Sequence, residues 1–290
     1  MNNSTSPAVC PSEPIILTIA GFDPTGGAGI TADLKTFAAH NCYGVAAITA
    51  LTVQNTRGVA AVYPVDGKSL RESAEALLDD GRVSAIKVGM IGSAEGAAVI
   101  RDILTRARAL PSVLDPVLRS ASGFELIDGA GISMLRGELL KLPTIITPNV
   151  DEASALTGLK VENPDEMKAA AKKLVEMGAR AVVVTGGHLE KATDVFYDGA
   201  AFEIFMTDRI KPDNTHGTGC TFSSALAANL ALGKQLRDAI VLAKVFVSEA
   251  IRKAFPIGPG RMPLHHLYRM QQAPRLADHS PAPSEAEVVH

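Results

Sequence analysis

Short apolar runs alternate along the chain with longer segments in which apolar residues recur every three or four positions. The short runs are rich in β-branched residues, which predicts buried strands. The predicted strands are residues 15–20, 45–53, 85–88, 112–114, 144–147 and 181–185. The predicted helices are residues 30–39, 69–79, 94–107, 165–177, 221–232 and 236–254. Such alternation is typical of βαβ units, whose helices cover both faces of a mostly parallel sheet.

Glycines support these boundaries and add a hairpin. Gly178 directly follows a predicted helix and marks its end. Two short strand-like segments, 194–197 and 202–205, flank Asp198 and Gly199, a dipeptide that favours tight turns. The predicted fold class is therefore α/β. It has three layers, a mostly parallel central sheet with helices on both faces and a hairpin at one sheet edge.

The two ends of the chain differ from its middle. Residues 1–13 are rich in Ser, Asn and Pro and lack the basic start and apolar stretch of a secretory signal. Residues 271–290 are rich in Pro, Ser and Glu. Segments of such composition bury too little apolar surface to fold. We therefore expect two disordered tails around a single domain at 14–270.

Composition narrows the classes of function. The 290 residues are 47% apolar and carry a formal net charge of -3, which disfavours nucleic acid or an anionic membrane as partner. No run approaches the roughly 20 apolar residues that a membrane span requires. The three cysteines, Cys10, Cys42 and Cys220, are scattered and form no CxxC pair, so neither a disulfide framework nor a zinc site is expected. A cytoplasmic location fits best.

A glycine-rich segment at 214–220, Asn-Thr-His-Gly-Thr-Gly-Cys, directly precedes the predicted helix 221–232. Glycines let the backbone approach a ligand, and the free N–H groups of a first helical turn attract anions together with the helix dipole. Gly217, Thr218 and Gly219 would then form an anion hole, as phosphoryl transfer requires. The alternative is a tight turn before an ordinary helix.

Cys220 would lie among these N–H donors at the start of the helix. That setting lowers the pKa of a thiol, so Cys220 could accept the proton of a substrate hydroxyl. The alternative is a buried cysteine without a chemical role. His216 has an alternative as well, namely a local hydrogen bond that holds the turn.

A second glycine-rich turn, residues 21–29, follows the first predicted strand and matches neither the GxGxxG nor the GxxxxGK[ST] pattern. Such loops at the carboxyl ends of strands bind ligands in open α/β sheets. Asp33 lies along the apolar stripe of the next helix and needs a partner, which an amino group of a heteroaromatic ligand could supply. It could equally be an acidic residue favoured by the helix dipole. Gln54 offers a donor and an acceptor to a pyrimidine edge, or is simply a loop residue.

Polar residues also follow other predicted strands. Asp115 comes directly after one strand, and Asn149 and Glu152 follow the next. Oxygen ligands of this kind suit Mg²⁺ bound with ATP. Asn149 could equally cap a helix. The segment 185–188 again places glycines after a strand, where a nucleotide could approach the backbone.

Together these segments resemble hydroxymethylpyrimidine/phosphomethylpyrimidine kinase, the thiamine-pathway branch of the ribokinase superfamily. The resemblance extends from about residue 15 to residue 270. Its motifs are residues 18–24, 26–30, 32–37, 48–56, 87–90, 115–117, 146–149, 186–188 and 214–220. It implies a ribokinase-like fold, phosphorylation of a hydroxymethylpyrimidine and then of its monophosphate, ATP and Mg²⁺, and a homodimer.

The resemblance also assigns site residues. It implies a pyrimidine pocket formed by Gly21, Asp23, Asp33, Gln54 and Met90. It implies ATP contacts from Asn149, Thr185, Gly187 and Thr218, and metal ligation by Asp115 and Glu152. It implies Cys220 as the proton acceptor, beside an anion hole of Gly217, Thr218 and Gly219.

This sequence departs from the common family pattern at two positions. Many relatives carry lysines where this chain has Ala121 and Thr185. Two charges that neutralise phosphate are therefore missing, and Arg119, Arg209 or Lys211 would have to replace them.

Two alternative functions remain open at this point. Pyridoxal kinase is one, because some relatives with the same cysteine-bearing turn accept pyridoxal. The other is a ligand-binding or regulatory module without activity, since a fold alone does not establish function. The missing lysines favour the second alternative, whereas the glycine-rich turn and Cys220 argue against it.

Overall fold

The β-branched runs of the sequence form the centre of one nine-stranded sheet in the computed structural model, which describes residues 13–142, 144–187, 192–211 and 215–270. The strands of this sheet are β1 (Ile15–Phe22), β2 (Tyr43–Asn55), β3 (Gly58–Pro64), β4 (Val83–Val88), β5 (Ser112–Leu114), β6 (Ile145–Ile146), β7 (Ala181–Gly186), β8 (Ala192–Tyr197) and β9 (Phe202–Thr207). Their order is β3-β2-β1-β4-β5-β6-β7-β8-β9. In this order, the neighbouring strands β2, β1, β4, β5, β6 and β7 pair in parallel. Strand β3 pairs antiparallel with β2 at one edge, and β8 and β9 pair antiparallel at the other. The sheet is therefore mostly parallel.

Helices cover both faces of this sheet. They are α1 (Gly29–Ala39), α2 (Gly67–Asp79), α3 (Ala94–Arg106), α4 (Gly129–Gly137), α5 (Val150–Thr157), α6 (Pro164–Glu176), α7 (Thr218–Ala231) and α8 (Leu236–Arg252). Side chains alternate along a strand, so Leu17 and Ile19 of β1 pack on the face with α2 to α6, and Ile16 packs on the face with α1, α7 and α8. The three-layer α/β prediction is confirmed.

The predicted hairpin is confirmed at the edge of the sheet. Strands β8 and β9 pair antiparallel, with Tyr197 opposite Phe202. Asp198 accepts hydrogen bonds from the N–H groups of Ala200 and Ala201 at 2.8 Å, which closes the turn. The turn therefore owes its shape to the aspartate as well as to Gly199, whose φ of 94° is in the left-handed region.

Several elements were not predicted. Strand β3 forms an antiparallel ribbon with the far half of β2, and two short strands, β10 (Thr215–His216) and β11 (Met262–Pro263), pair in parallel outside the main sheet. Helices α4 and α5 are short, and α7 begins at Thr218, three residues before the predicted start. Because α7 begins earlier than predicted, Thr218 and Gly219 belong to the first turn of the helix and not to the loop before it.

Residues 1–12 and 271–290 lie outside the described residues, so the predicted tails and the domain limits stay predictions. In the part of the chain that the structure describes, no helix combines the length and the apolar character that crossing a membrane requires.

Candidate active site

The predicted site residues follow the carboxyl ends of adjacent parallel strands. Strand β1 leads into the turn 21–29, β4 into Met90 and β5 into Asp115. Strand β6 leads to Asn149, which forms a bridge with Thr185 at the end of β7. Because parallel strands end at the same edge of a sheet, the fold itself brings these residues to one side of the molecule.

The two glycine-rich turns contact each other directly. Gly217 has a φ of 86°, and a Cβ atom on it would lie 1.8 Å from the carbonyl oxygen of Gly27. Gly29 has a φ of 56°, and its Cβ atom would lie 2.2 Å from the carbonyl oxygen of Gly21. Any side chain at either position would therefore collide with the backbone. The glycines allow the first turn of α7 to lie against the turn 21–29.

The first turn of α7 has the features of an anion-binding site. Gly217 is the N-cap residue of α7. Because glycine has no side chain, the cap residue accepts no hydrogen bond from the first N–H groups of the helix. The backbone at Gly219 faces the carboxyl group of Asp115, which is 3.8 Å from the position of a Cβ atom there. The turn is thus open to an anionic group and lies beside a carboxylate that could hold a cation.

Cys220 corrects one expectation. We expected the helix N-terminus to lower the pKa of its thiol, but burial raises that pKa to about 12. The positive charge of Lys87 acts in the opposite direction, and the carboxylates of Asp115 and Asp33 add to the increase. Desolvation and two nearby negative charges therefore outweigh the charge of Lys87 and a hydrogen bond from the backbone of Gly29, which both lower the pKa. The thiol is protonated near neutral pH.

The position of Asp33 corrects a second expectation. Its carboxylate already has partners inside the protein, since the ammonium group of Lys87 lies 3.0 Å from both carboxylate oxygens. The hydroxyls of Thr18 and Ser224 also donate to it, each at 2.6 Å. Asp33 and Lys87 have no exposed side-chain surface. The expectation that Asp33 requires a ligand amine is wrong, because the lysine fills that place.

Lys87 was missed by the sequence interpretation. Burial alone would lower the pKa of its ammonium group, but the carboxylate of Asp33 raises it above the usual value. One signal was present in the sequence, namely a single lysine inside the apolar run 85–88. A charge in a fully buried strand requires a charged partner, but the sequence does not show which residue that is.

Asp23, His216 and Gln54 form a chain of contacts at the rim of the site. The Nε2 atom of His216 lies 2.9 Å from Oδ2 of Asp23 and 3.0 Å from the terminal amide of Gln54. Burial would raise the pKa of Asp23, yet hydrogen bonds from His216 and Thr25 bring it below the usual value. His216 therefore does more than hold its own turn. It connects the two turns and Gln54.

A cavity of about 380 Å³ opens next to Gln54. It is bounded by residues 24–25, 54–57 and 257–259. Met90 lies further inside, and its sulfur would be 2.6 Å from a Cβ atom at Gly21. The absence of a side chain at Gly21 thus makes room for Met90, which is only 7% exposed. Of the five predicted pocket residues, Gln54 lines this cavity and Asp23 is linked to Gln54 through His216, whereas Gly21, Met90 and Asp33 are buried.

The predicted metal ligands are two buried carboxylates. Burial and the nearby charge of Asp115 raise the pKa of Glu152 to about 8. Burial likewise raises the pKa of Asp115. Glu152 also accepts a hydrogen bond from the N–H group of Asn149 at 2.9 Å, while the Asn149 side chain accepts one from the N–H of Glu152. Asn149 and Glu152 are thus the capping box of α5, and a ligand role would be additional.

No group of three or more His, Cys, Asp or Glu side chains within the described ranges is arranged to hold a metal ion. The two carboxylates would supply part of a coordination sphere. Water and substrate phosphates commonly complete such a sphere for Mg²⁺.

Three of the four predicted nucleotide contacts, Asn149, Thr185 and Gly187, lie at the ends of β6 and β7, and the fourth, Thr218, begins α7. The N–H group of Thr185 donates to the carbonyl of Pro148 at 2.8 Å, and a Cβ atom at Gly187 would meet nothing within 4 Å. The backbone there is therefore open to a ligand. His188 of the same motif lies outside the described residues.

One of the three proposed replacements for the missing lysines, Arg119, has a partner close to it in the chain. Arg119 lies 3.2 Å from Glu125, and both side chains are largely exposed. The loop that carries Ala121 is closed by hydrogen bonds of Ser120 with Phe124 and with Ser122. Ala121 thus lies in a closed loop and brings no positive charge to it.

Comparison with known proteins decides the family. A family model described as phosphomethylpyrimidine kinase matches residues 23–265. The chain belongs to this family. The bifunctional thiamine biosynthesis protein ThiED of Geobacter sulfurreducens is 44% identical over 254 residues, 87% of this chain and 52% of that protein. The chain therefore spans about half the length of that relative.

A second relative matches along almost its whole length. The hydroxymethylpyrimidine/phosphomethylpyrimidine kinase of Aquifex aeolicus is 42% identical over 248 residues, 85% of this chain and 97% of the relative. The crystal structure of an ADP complex of Bacillus subtilis pyridoxal kinase is similar with a TM-score of 0.82 at 37% identity. The similarity covers 90% of this chain and 100% of the Bacillus chain. The predicted family, kinase class and ribokinase-like fold are confirmed.

The buried ion pair generates a prediction about stability. Asp33→Asn leaves the ammonium of Lys87 buried without a counter-charge, so we expect the free energy of unfolding to fall by about 3 kcal/mol. Urea unfolding monitored by circular dichroism measures this change. The matched control is Glu125→Gln, which breaks the exposed pair with Arg119 and should change the free energy by less than about 1 kcal/mol. Equal effects of the two substitutions would contradict the prediction.

Proposed function

We propose that this protein transfers the γ-phosphate of ATP to the hydroxymethyl group of 4-amino-5-hydroxymethyl-2-methylpyrimidine, and then to the resulting monophosphate, in thiamine biosynthesis. The observation that carries the proposal is the contact between the first turn of α7 and the turn 21–29. This contact supports the proposal, because the start of α7 lies against a turn whose residues 24 and 25 line the same cavity as Gln54, a side chain that can donate and accept. The names of the relatives supply the substrate class.

In this proposal the pyrimidine ring binds near Gly21, Asp23, Gln54 and Met90. Gln54 lines the cavity, and Gly21 leaves space beside the Met90 side chain. A soft thioether next to a heteroaromatic ring gives a favourable contact. Asp33 acts from beneath the site, through its ion pair with Lys87, and does not touch the ring.

The migrating phosphoryl group would be bound by the N–H groups of Gly217, Thr218 and Gly219. Aligned amides at a helix start stabilise the charge that spreads over the phosphoryl oxygens. Cys220 would accept the proton of the attacking hydroxyl in its thiolate form, which the charge of Lys87 favours and which requires that the thiol first loses its own proton to solvent. The proton would then move from the alcohol oxygen to the thiolate sulfur while the new P–O bond forms, the bond from the γ-phosphorus to the bridging oxygen breaks and ADP leaves.

The second step makes a different demand. A phosphate monoester has a second pKa of about 6, so its oxygens are already ionised near neutral pH. No base is then required, and the same N–H groups would only have to orient the acceptor phosphate. The proposal therefore assigns Cys220 a role in the first step that the second step does not share.

Mg²⁺ fits the pair formed by Asp115 and Glu152. Each carboxylate is more than 90% buried, and their mutual repulsion contributes to the raised pKa of Glu152. A divalent cation relieves such repulsion, and it would supply charge neutralisation for the phosphates of ATP. Asp115 and Glu152 would hold the ion, together with oxygen atoms from water and substrate.

The nucleotide would lie across the ends of β6 and β7. Asn149, Thr185 and Gly187 are the residues that we propose to contact it, together with Thr218 at the start of α7. Support comes from the bridge between Asn149 and Thr185 and from the open backbone at Gly187. The Bacillus protein, which is similar over 90% of this chain, was solved with ADP.

Pyridoxal phosphorylation is a second candidate, and one observation favours it. The Bacillus structure with a TM-score of 0.82 is a pyridoxal kinase. A pyridine ring offers a single ring nitrogen, whereas the aminopyrimidine offers two ring nitrogens and an amino group. The same cavity could accept both rings, so relative turnover decides between them.

A homodimer and a cytoplasmic location stay proposals. In support of the dimer, Leu51 and Val53 of β2 and Tyr63 of β3 are 46%, 52% and 61% exposed. Leu51 pairs directly with Tyr63, so these side chains form one apolar face on the β2–β3 ribbon. A second copy of the chain could cover that face.

Turnover across a substrate panel tests the function. With purified protein, Mg²⁺ and ATP, we expect ADP release with the hydroxymethylpyrimidine and with its monophosphate, because both place an acceptor oxygen at the anion hole. A coupled ADP assay and phosphorus NMR identify the products. Pyridoxal is the comparison substrate, and we expect a lower kcat/KM for it. Absence of ADP release with every pyrimidine would refute the proposal.

Substitution of Cys220 separates the two steps. For Cys220→Ala we expect turnover of the alcohol to fall by at least about 100-fold, the usual range for loss of a general base. Turnover of the monophosphate should fall by less than about tenfold, because its acceptor oxygen is already ionised near neutral pH. Equal loss in both steps would show that Cys220 does not act as the proton acceptor.

Thermal unfolding with ADP tests the metal site without catalysis. We expect Mg²⁺ to add about 2–4 °C to the stabilisation by ADP, relative to ADP with EDTA, because ligand binding to the native state raises the melting temperature. Asp115→Asn should abolish this increment. The control Asp151→Asn, at an exposed neighbour of Glu152, should retain it. An increment that survives in Asp115→Asn would exclude Asp115 as a ligand.

A further inference from the structure

A narrow cleft separates the turn between β2 and β3 from the loop that carries Ala121. The two walls meet at Gly58, where a Cβ atom would lie 2.9 Å from the hydroxyl of Ser122. The cleft is lined by residues 54–56, 58–59 and 120–122, together with His216 and Arg261. None of these described residues is acidic, and the guanidinium of Arg261 keeps its positive charge at every ordinary pH. The lining therefore suits an anion.

The backbone of Arg261 is held at the edge of this cleft. Its N–H donates to the carbonyl of Thr56 at 2.7 Å, and the N–H of Gly260 donates to the Thr56 hydroxyl at 3.2 Å. A Cβ atom at Gly260 would lie 2.0 Å from the same carbonyl oxygen, so a side chain there would collide with the turn. Met262, the next residue, pairs with Thr215 between β10 and β11. The fold thus fixes the point from which the Arg261 side chain starts.

The charge of Arg261 is not used inside the protein. Within the described ranges its guanidinium forms no ion pair and no hydrogen bond. Arg57, which lies on the other side of Thr56, lines the cavity of about 380 Å³ and does not line the cleft. Ala121 faces the cleft without a charge of its own. Among the described lining residues, the permanent cation of the cleft is therefore Arg261.

The cleft lies on the acceptor side of the proposed site. Gln54 lines both the cleft and the larger cavity. His216 directly precedes Gly217, the N-cap residue of α7. None of the described residues at the ends of β6 and β7, where the nucleotide is proposed to lie, lines the cleft. An anion in the cleft would therefore belong to the acceptor and would lie near the start of α7.

We propose that Arg261 binds the phosphate of the acceptor monophosphate in this cleft, and thereby makes the protein bind the monophosphate in preference to the alcohol. The alcohol brings no anionic group, whereas a phosphate monoester carries a charge of about -1.5 to -2 near neutral pH. Guanidinium and phosphate form charge-assisted hydrogen bonds, which are roughly twice as strong as neutral ones. The inference rests on the proposed function, since it concerns how one site distinguishes its two acceptors.

Calorimetry without ATP tests the inference separately from catalysis. For Arg261→Ala we expect the Kd of the monophosphate to rise at least about tenfold, while that of the alcohol changes less than about threefold. Arg57→Ala is the matched control, because Arg57 is also exposed and borders Thr56 but lines only the larger cavity. It should change both Kd values less than about threefold. Equal losses of monophosphate affinity in the two variants would overturn the proposal, because a general positive field would then explain them.

ADP binding distinguishes the two phosphates that the site must hold. We expect the Kd of ADP with Mg²⁺ to change less than about threefold in Arg261→Ala, because the cleft lies away from the proposed nucleotide contacts. A loss of ADP affinity as large as the loss of monophosphate affinity would assign Arg261 to the nucleotide and overturn the proposal.

A charge placed on the opposite wall of the cleft provides a rescue. Ala121→Lys in the Arg261→Ala background should restore most of the lost monophosphate affinity, because position 121 lines the same cleft. Ala121→Gln in that background adds a similar length without charge and should restore less than about threefold. A purely structural role of Arg261 would not respond to a charge across the cleft. Absence of rescue by Ala121→Lys would contradict the proposal.

Turnover separates failure of this inference from failure of the proposed function. If the wild-type protein prefers the monophosphate through Arg261 but releases no ADP with either pyrimidine, the proposed function fails and the phosphate site stands. If both pyrimidines are turned over but Arg261→Ala lowers kcat/KM equally for the two, the proposed function stands and the inference fails.

Discussion

The buried ion pair of Asp33 and Lys87 is the interaction on which the site depends. It joins α1, which carries Asp33, to β4, which carries Lys87, and through the hydroxyl of Ser224 it reaches α7. Two charges without any exposed surface are tolerated only because each oxygen of the carboxylate is hydrogen-bonded. The pair therefore fixes the distance between the two helices whose first turns meet at the proposed phosphoryl site, and it contributes to the electrostatic surroundings of Cys220.

Much of the fold follows from local pattern. Strands such as β4 and β5 are buried on both faces, so they appear in the sequence as short apolar runs, and their predicted limits differ little from the structure. Strand β3 was missed because its side of the ribbon is half-exposed and its composition is rich in alanine. Helix α5 was expected only as an alternative at Asn149 and was given no limits, because it has only eight residues and its asparagine and glutamate fit a metal site as well as a capping box.

The chemistry of the site follows from the sequence only in part. The glycine turns were recognisable because a helix start with glycines has a local signature. The partner of Asp33 lies 54 residues away, and the contacts of His216 span 162 and 193 residues, so no local pattern reports them. The pKa of Cys220 depends on desolvation and on the charges of Lys87, Asp115 and Asp33, whose distances exist only in the folded chain. A rule based on helix position alone gave the wrong sign.

The parallel pairing of β10 with β11 makes the site depend on the last part of the described chain. Pro263 lies beside His216, and His266 contacts the hydroxyl of Thr221 in the first turn of α7 at 3.0 Å. His266 is buried, which lowers its pKa to about 3, so it is a neutral anchor at ordinary pH. During synthesis on the ribosome, the sheet and most helices can form before this anchor has left the exit tunnel. The proposed phosphoryl site is thus assembled only after residue 266 has emerged.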